Sequence, residues 1–399
     1  MNIESNKPPK FFHTAKALFV FVALQLPVIG HCDSGNGWFN IFGTKGKNMK
    51  EVATKVATLN VDNEIWGLDF SPDGKHLAAT SPNTRQVYVW DWRIGRRIAQ
   101  SLEKQGSDLT TTEPLRYSPN GHLLVWCGGT IARIWNTETW EVIHTIDGTG
   151  GVEAAGGGCN VAGFAPDGKS LALVLYRNSN RPGDNLIVYD TSTWQPVWGL
   201  RTILPFNVSD SERKRANAEG TAFDPNTLAM SPDGKQLALG GEVWADSFFN
   251  AEIKIVDIEK RAIVKTIRAF SNPVELGESM ARLAWSPDGT QIAVGIFGVN
   301  KDGGDAIRIF NVQDGEQVAN EPASLGTQIR GLRYTPDGKY LLEAGIGHSL
   351  KIWDGQHQKL LQEISEGGVV ESVAVSADGQ YFAIGIRDGT NVQVWKLKQ

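Results

Sequence analysis

Four charged residues interrupt segments that otherwise hold small or apolar side chains. Asp69, Arg116 and Arg333 each precede the bulky residue before a Pro-Asp-Gly type turn, and Arg282 lies three residues before Trp285. Two interpretations stand. Asp69 and Arg116 form a structural ion pair, because buried charges need partners. Alternatively, the four charges line the mouth of a channel that holds an anionic ligand, with Trp66 available to a small ligand or a glycan.

A second group of candidate residues lies in three long connections, at 176–185, 203–227 and 241–250. Clustered Trp, Phe and Arg side chains are typical anchors of protein interfaces, and repeat scaffolds usually bind through such connections. In the alternative interpretation, the loops only tolerate insertions and their aromatic residues cap the core. The candidate residues in these segments are Arg177, Arg181, Phe206, Arg213, Arg215, Trp244, Phe248 and Phe249.

Catalytic and metal-binding patterns do not stand out in the sequence. None of the seven histidines has a His-x-x-x-His or comparable ligand spacing, and no Gly-x-Ser-x-Gly motif occurs. We therefore expect a protein without catalytic activity, metal or cofactor. Cys127 and Cys159 lie in adjacent repeats, and they are either two buried thiols or, in an oxidising compartment, a disulfide.

The elements that must position these residues repeat seven times along the chain. Each copy has an apolar residue, then Ser/Thr/Ala-Pro-Asp-Gly or a near variant, and successive copies are 47, 47, 66, 55, 49 and 41 residues apart. Proline and glycine preset a tight turn, and the flanking alternation of apolar residues predicts a β-hairpin around it. The copies begin at Phe70, Tyr117, Phe164, Met230, Trp285, Tyr334 and Val375.

A third strand follows each hairpin and has its own pattern. Apolar residues alternate with others and lead to an aromatic residue or valine, usually followed by Asp or Asn. A more polar fourth strand comes next. Seven units of four antiparallel strands predict an all-β, seven-bladed β-propeller. The residues at the aromatic position are Trp90, Trp135, Tyr189, Val256, Phe310, Trp353 and Trp395.

Ring closure is expected to use the N-terminal strand. The last unit has no fourth strand of its own after Trp395, and the strand-like segment 53–59 precedes the first unit. An open ring would leave an unpaired sheet edge. We therefore expect segment 53–59 to join the last blade.

The hairpins and third strands together resemble the WD-repeat family. Trp90-Asp91 and Trp353-Asp354 end two third strands, and Trp135-Asn136 is a close variant. The resemblance covers about residues 51–399, although the Gly-His dipeptide that usually opens a WD repeat is absent. It implies a seven-bladed propeller that acts as a scaffold for protein partners.

Residues 1–30 have the pattern of a signal peptide or a membrane anchor. Three lysines precede an apolar run at 17–30, which is short for a transmembrane helix. Cys32 is a candidate lipidation site, although His31 fits a lipobox poorly. Residues 31–50 are expected to form a flexible stalk, and 51–399 the propeller. These features favour export to a periplasmic or extracellular location, or a membrane tether.

The amino-acid composition bears on which class of molecule the protein binds. The formal net charge is −5 and no long block of Lys and Arg occurs, so nucleic acid is not expected as a partner. The favoured function is a non-catalytic scaffold that binds protein partners through its loop face. The alternatives are a lactonase-like propeller hydrolase and a small-ligand or glycan sensor with a site over the central channel.

Overall fold

The computed structural model describes most of the chain from residue 51 onward. Residues 1–50, which hold the predicted signal sequence, the stalk and Cys32, lie outside the described residues. Within the described ranges, no helix is long and apolar enough to cross a membrane. The described residues are 51–61, 64–81, 86–100, 115–128, 131–147, 158–176, 185–201, 223–245, 248–269, 279–297, 305–322, 328–346, 349–356, 359–366, 368–387, 389 and 391–398.

The described residues form twenty-eight β-strands. Those of the first half are β1 Ala53–Asn60, β2 Gly67–Phe70, β3 His76–Ser81, β4 Gln86–Asp91, β5 Arg96–Gln100, β6 Leu115–Tyr117, β7 Leu123–Gly128, β8 Ile131–Asn136, β9 Val142–Asp147, β10 Gly158–Phe164, β11 Ser170–Tyr176, β12 Leu186–Asp190, β13 Pro196–Leu200 and β14 Phe223–Met230. Those of the second half are β15 Gln236–Ala245, β16 Phe248–Asp257, β17 Ala262–Arg268, β18 Ser279–Trp285, β19 Gln291–Phe297, β20 Asp305–Asn311, β21 Gln317–Pro322, β22 Gln328–Tyr334, β23 Tyr340–Ile346, β24 Ser349–Asp354, β25 Leu360–Ser365, β26 Val370–Val375, β27 Tyr381–Ile386 and β28 Asn391–Leu397.

These strands form seven four-stranded antiparallel blades, which confirms the predicted propeller. Blades 1 to 6 take four consecutive strands each from β2 to β25, and one residue pair, Phe297 with Gln328, links blades 5 and 6. Blade 7 contains β26, β27 and β28, with β1 as its outermost strand. The register of β1 and β28 runs from Ala53 opposite Leu397 to Asn60 opposite Asn391. The N-terminal strand therefore closes the ring, as the sequence predicts.

The repeated turn is held by a small hydrogen-bond network. In blade 1, the Ser71 hydroxyl donates to Asp73 Oδ1 at 2.6 Å, and the Lys75 amide donates to the same oxygen at 3.0 Å. Gly74 follows at a φ of 69°, a conformation that favours glycine. A hydroxyl donates to the turn Asp or Asn in six of the seven turns. In blade 3, Ala165 stands in the hydroxyl position, so this bond is missing there.

The core consists of apolar clusters between neighbouring blades. The third-strand aromatic residue of each blade packs against the preceding blade, as Trp90 does against blade 7 and Trp135 against blade 1. Blade 4 has Val256 at this position, in the cluster that it shares with blade 3. Its inner strand ends in Met230, where most blades have an aromatic residue. Blade 4 therefore supplies no aromatic side chain at either position to its contact with blade 3.

The inner strands pack closely around the axis, so small residues are needed there. A Cβ atom on Gly163 would lie 2.6 Å from Leu228 Cδ1 of the next blade. A Cβ atom on Gly331 would lie 2.8 Å from Val373 Cγ1. Both distances are too short for carbon atoms, which explains the small residues that the sequence shows before the turns.

Two sequence-based boundaries are wrong. The segment 241–250 was expected as a loop, but its described residues belong to β15 and β16, which pair as one long hairpin. The connection 203–227 is shorter than expected, because β14 starts at Phe223. Gly241 explains the first difference: a Cβ atom there would lie 2.1 Å from the Asp224 carbonyl oxygen. Gly241 therefore permits the close approach of β14 and does not mark a loop.

Candidate functional site

Arg116 of β6 and Arg333 of β22 line a cavity at the mouth of the central channel. The cavity has a volume of about 320 Å³ and opens beside the repeated turns, whose prolines form part of its wall. Among the described residues that line it, no carboxylate occurs. Bulky residues that end the inner strands complete the wall, including Tyr117 and Tyr334. The lining therefore has a positive charge and an apolar rim, which suits a small anion.

The two tyrosines stay protonated over the physiological pH range. Burial, together with Asp69, holds the pKa of Tyr117 well above its ordinary value. Burial and nearby Asp288 raise the pKa of Tyr334 in the same direction. Neither phenol therefore adds negative charge to the mouth, and Arg116 and Arg333 are the charged side chains among its described lining residues.

Asp69 joins blades 1 and 2. Its Oδ2 accepts a hydrogen bond from the Tyr117 backbone amide at 2.7 Å, across the blade boundary. The neighbouring Arg116 donates Nη1 to the Leu115 carbonyl oxygen at 2.8 Å. Asp69 thus has a structural contact in blade 2, next to Arg116. The predicted ion pair between the two side chains stays a prediction.

Further along the channel, Arg282 is buried and binds backbone. It is 3% exposed, and its Nε donates to the Arg330 carbonyl oxygen at 2.5 Å. This contact connects β18 of blade 5 with β22 of blade 6. Arg282 is therefore a structural residue in this arrangement, whereas Arg116 and Arg333 lie at the open cavity.

Sequence reasoning missed a second charged group in the channel. Glu371 is buried and contacts Arg387 Nη2 through Oε1 at 2.6 Å and Arg330 Nε through Oε2 at 3.7 Å. Burial lowers the pKa of Arg330, and the charge of Glu371 opposes this effect. Arg387 also lies over the Trp66 ring at 5.8 Å. Trp66, Arg116, Arg330 and Arg333 line a narrow space together, which places Trp66 at the channel.

The position of Arg330 and Glu371 depends on a β-bulge. The register of β22 shifts between Ile329 and Gly331, and that of β26 shifts between Val370 and Ser372. Arg330 and Glu371 are the extra residues, so strict alternation does not predict where they lie. Both residues stand five positions before the Ser or Thr of the repeated turn, and this shared position is the signal in the sequence that could have identified them.

The hairpin of β15 and β16 is the longest in the described part of the chain. Each of its strands has ten residues, whereas β3 and β7 have six. Its register pairs Trp244 with Phe249 and Ala245 with Phe248, so three of the candidate aromatic residues lie in its last two residue pairs. Arg177, Arg181, Phe206, Arg213 and Arg215 lie outside the described residues.

Two acidic residues lie opposite each other on β14 and on β15, the first strand of the same hairpin. Asp224 is opposite Glu242, and burial together with the charge of Glu242 raises the pKa of Asp224 to about 7. Its Oδ1 is buried without a hydrogen-bond partner. Within the described ranges, no three His, Cys, Asp or Glu side chains are grouped to hold a metal ion.

Cys127 and Cys159 form a disulfide bond. Their Cα atoms are 5.2 Å apart, and the bond joins β7 of blade 2 to β10 of blade 3. Both residues are fully buried in the cluster between these blades. Of the two alternatives that the sequence leaves open, the structure thus has the disulfide. Cys159 lies within the first strand of blade 3.

Comparison with known proteins agrees with the repeat architecture. The family model described as WD domain, G-beta repeat matches residues 53–91. An uncharacterized WD repeat-containing protein of Synechocystis sp. is 26% identical over 160 residues, which are 40% of each chain. The WD repeat-containing protein 26 homolog of Arabidopsis thaliana is 21% identical over 88% of this chain and 52% of its own length. The chain thus spans about half or less of these curated relatives.

A solved structure matches the fold over nearly the whole ring. The β-propeller domain of Cps50 (Swd1) from Myceliophteria thermophila superposes with a TM-score of 0.62 at 14% identity. The match covers 87% of this chain and 100% of that domain. At this identity the likeness shows the fold alone. The chain is a seven-bladed propeller, and its residues 53–91 match the WD-repeat model.

Proposed function

We propose that this WD-repeat β-propeller is a non-catalytic protein-interaction scaffold, located outside the cytoplasm or at a membrane. The fold supports the first part, because WD-repeat propellers generally bind protein partners. The observation that carries the proposal is the long hairpin of blade 4. It extends beyond the six-residue strands of blades 1 and 2 by four residues per strand, or about 13 Å.

The register of this hairpin supports a contact role. Trp244, Phe248 and Phe249 all lie in its last two residue pairs. Trp and Phe are enriched in the buried centres of protein interfaces, where they contribute most of the binding energy. The end of a long hairpin with three such residues fits the recognition of a protein surface.

The disulfide supports the proposed compartment. Disulfides persist in secreted and periplasmic proteins and are rare in reducing compartments. The Cys127–Cys159 bond and the apolar run at residues 17–30 therefore favour the same location. Mass spectrometry of the protein from its native host tests this part. Cleavage near Gly30 or lipid on Cys32 supports export, and an intact N-terminus in a cytoplasmic fraction contradicts it.

Site-specific photo-crosslinking tests the contact surface. A photoreactive phenylalanine analogue at Trp244 is expected to capture a defined partner protein in cells. The same analogue at Val142, an exposed residue of an outer strand in blade 2, is the matched control. Purified partner should then bind the wild-type chain at least about tenfold more tightly than the variant Trp244→Ala/Phe249→Ala. Equal capture at both positions, or equal affinity of both proteins, contradicts the proposal.

The channel mouth supports a second candidate function, the binding of a small anion. Arg116 and Arg333 line it, and no described lining residue carries a negative charge. With this function, the protein would be the small-ligand sensor that the sequence leaves open as an alternative to a scaffold. Its test is the first prediction in the Discussion.

A further inference from the structure

A cleft between blades 3 and 4 is larger than the channel mouth. It has a volume of about 450 Å³, within the range of small-molecule sites. Val188 and Trp198 of blade 3 form one wall, and Met230 and Leu237 of blade 4 form the other. Trp198 and Met230 are half-buried, so an aromatic and a thioether side chain are accessible in the cleft. The interior of the cleft is therefore apolar.

The cleft lies at the one blade contact that lacks both usual aromatic residues. In the other six blades, Trp, Tyr or Phe ends the third strand and packs against the preceding blade. Blade 4 has Val256 there and Met230 at the end of its inner strand. Close-packed interiors leave few voids of this size. Val256 is fully buried, whereas Met230, which stands where most blades have an aromatic residue, lines the open space opposite Trp198.

Two carboxylates lie at the rim of the cleft, and the charge of Lys235 acts on one of them, Asp233. Asp167 and Asp233, the turn residues of blades 3 and 4, both line it and are exposed. Hydrogen bonds from the Lys235 amide and the Ser231 hydroxyl hold the pKa of Asp233 below its ordinary value. Asp167 accepts the Lys169 amide at 3.0 Å but lacks the hydroxyl donor of the other turns, because Ala165 replaces it. No lysine or arginine is among the described residues of the lining.

We propose that the cleft between blades 3 and 4 binds a small aromatic cation. The ring lies between Trp198 and the apolar wall that Met230 and Leu237 of blade 4 form. The positive charge lies at the rim beside Asp167 and Asp233. This site shares Met230 with the wall of the channel mouth and Leu237 with the first strand of the hairpin, but it does not depend on the proposed scaffold function.

Two indole probes of opposite charge test the proposal on the full-length protein. Tryptamine carries an ammonium group on a two-carbon chain, and indolepropionate carries a carboxylate on the same ring and chain. Isothermal titration at low salt is expected to give at least about tenfold tighter binding of tryptamine. The indole N–H signal of Trp198 in NMR spectra, assigned with Trp198→Phe, should shift on titration with tryptamine. Equal affinity for both probes, or no tryptamine binding at all, overturns the proposal.

Three variants locate the site. Asp167→Asn/Asp233→Asn should reduce the preference for tryptamine to near one, whereas Asp288→Asn, a turn residue of blade 5 outside the cleft, should leave it unchanged. Met230→Trp places the aromatic residue of the repeat in the wall of the cleft and should abolish tryptamine binding. If Met230→Trp does not fold, the Asp variants decide alone. A preference for tryptamine that survives in the double Asp variant overturns the proposal.

Discussion

Arg116 and Arg333 occupy the same position of the repeat in blades 2 and 6 and adopt the same contact. Each donates Nη1 to the carbonyl oxygen of the preceding residue at 2.8 Å, and both line the mouth of the central channel. Most other blades have glycine or alanine at this position. Two guanidinium groups are thus held in a ring of positions at which, apart from Asp69 of blade 1, the other members are small.

The first prediction concerns these two arginines. We expect inorganic phosphate to raise the Tm of the wild-type protein by about 1–3 °C relative to sodium chloride of equal ionic strength, because an anion that binds only the folded state stabilises it. Arg116→Met/Arg333→Met should lose this increase, which is measured as the difference between the Tm values of the same variant in phosphate and in chloride. Exposed Arg96→Met is the control and should keep it. A phosphate effect of equal size in the double variant contradicts an anion site at the mouth.

The second prediction concerns the disulfide between blades 2 and 3. Cys127→Ser/Cys159→Ser should lower the free energy of unfolding by about 2–4 kcal/mol, because the bond closes a loop of 32 residues in the unfolded chain. Urea unfolding measures the change. A reducing agent should produce a similar loss in the wild type and none in the double variant. A wild type that is insensitive to reductant under unfolding conditions would show that the bond is not formed.

The third prediction concerns the pH dependence of stability. The folded state raises the pKa of Asp224 from 3.8 to about 7, so it binds this proton more strongly than the unfolded chain does. The contribution of Asp224 to stability is therefore present at acidic pH and is lost as the pH rises towards 7. Asp224→Asn cannot ionise, so relative to wild type it should become more stable by about 1–3 kcal/mol between pH 5 and pH 8.

Urea titrations at several pH values measure this difference. Glu242→Gln should reduce the pH dependence of the wild type, because the charge of Glu242 contributes to the raised pKa. A stability difference between wild type and Asp224→Asn that stays constant from pH 5 to pH 8 contradicts the assignment.

The fourth prediction concerns the closing strand. Gln362 of β25 accepts the amides of Val52 and Ala53 at 2.6 and 2.8 Å and donates to the Ala53 carbonyl oxygen at 3.2 Å. Gln362→Leu leaves these backbone groups without partners, so unfolding should become easier by about 1–3 kcal/mol. Exposed Gln195→Leu should have little effect. Deletion of residues 50–60 should abolish cooperative unfolding, and an unchanged melting curve of that truncation refutes its role in closure.

The sequence predicts the ring because the residues that form its turns act locally. Proline and glycine of the turns act within four residues, so seven copies predict seven hairpins without knowledge of tertiary contacts. The hairpin of blade 4 escaped prediction because Gly241 interrupts an apolar run for a tertiary reason, the close approach of the Asp224 backbone. The bond between Cys127 and Cys159 likewise depends on the distance between two blades, which the sequence does not contain.

The candidate sites were less accessible to prediction than the fold. Arg116 and Arg333 stand out because they break a rule of small residues, and they do line the channel mouth. The positions of Arg330 and Glu371 depend on β-bulges, which the alternation of inward and outward residues along a strand does not predict. The cleft beside Met230 had signals in the sequence, since Val256 and Ala165 both depart from the repeat. Their effect appears only when two neighbouring blades are in contact.

The strand that closes the ring also decides how the molecule would respond to force. Because β1 is the outermost strand of blade 7 and antiparallel to β28, a pull on a tether before residue 51 would peel it away from the Ala53–Leu397 end, one residue pair after another. The other six blades would bear little of that load. A ring tethered in this way would open at the contact between β1 and β28. Single-molecule pulling can measure the force that separates these two strands.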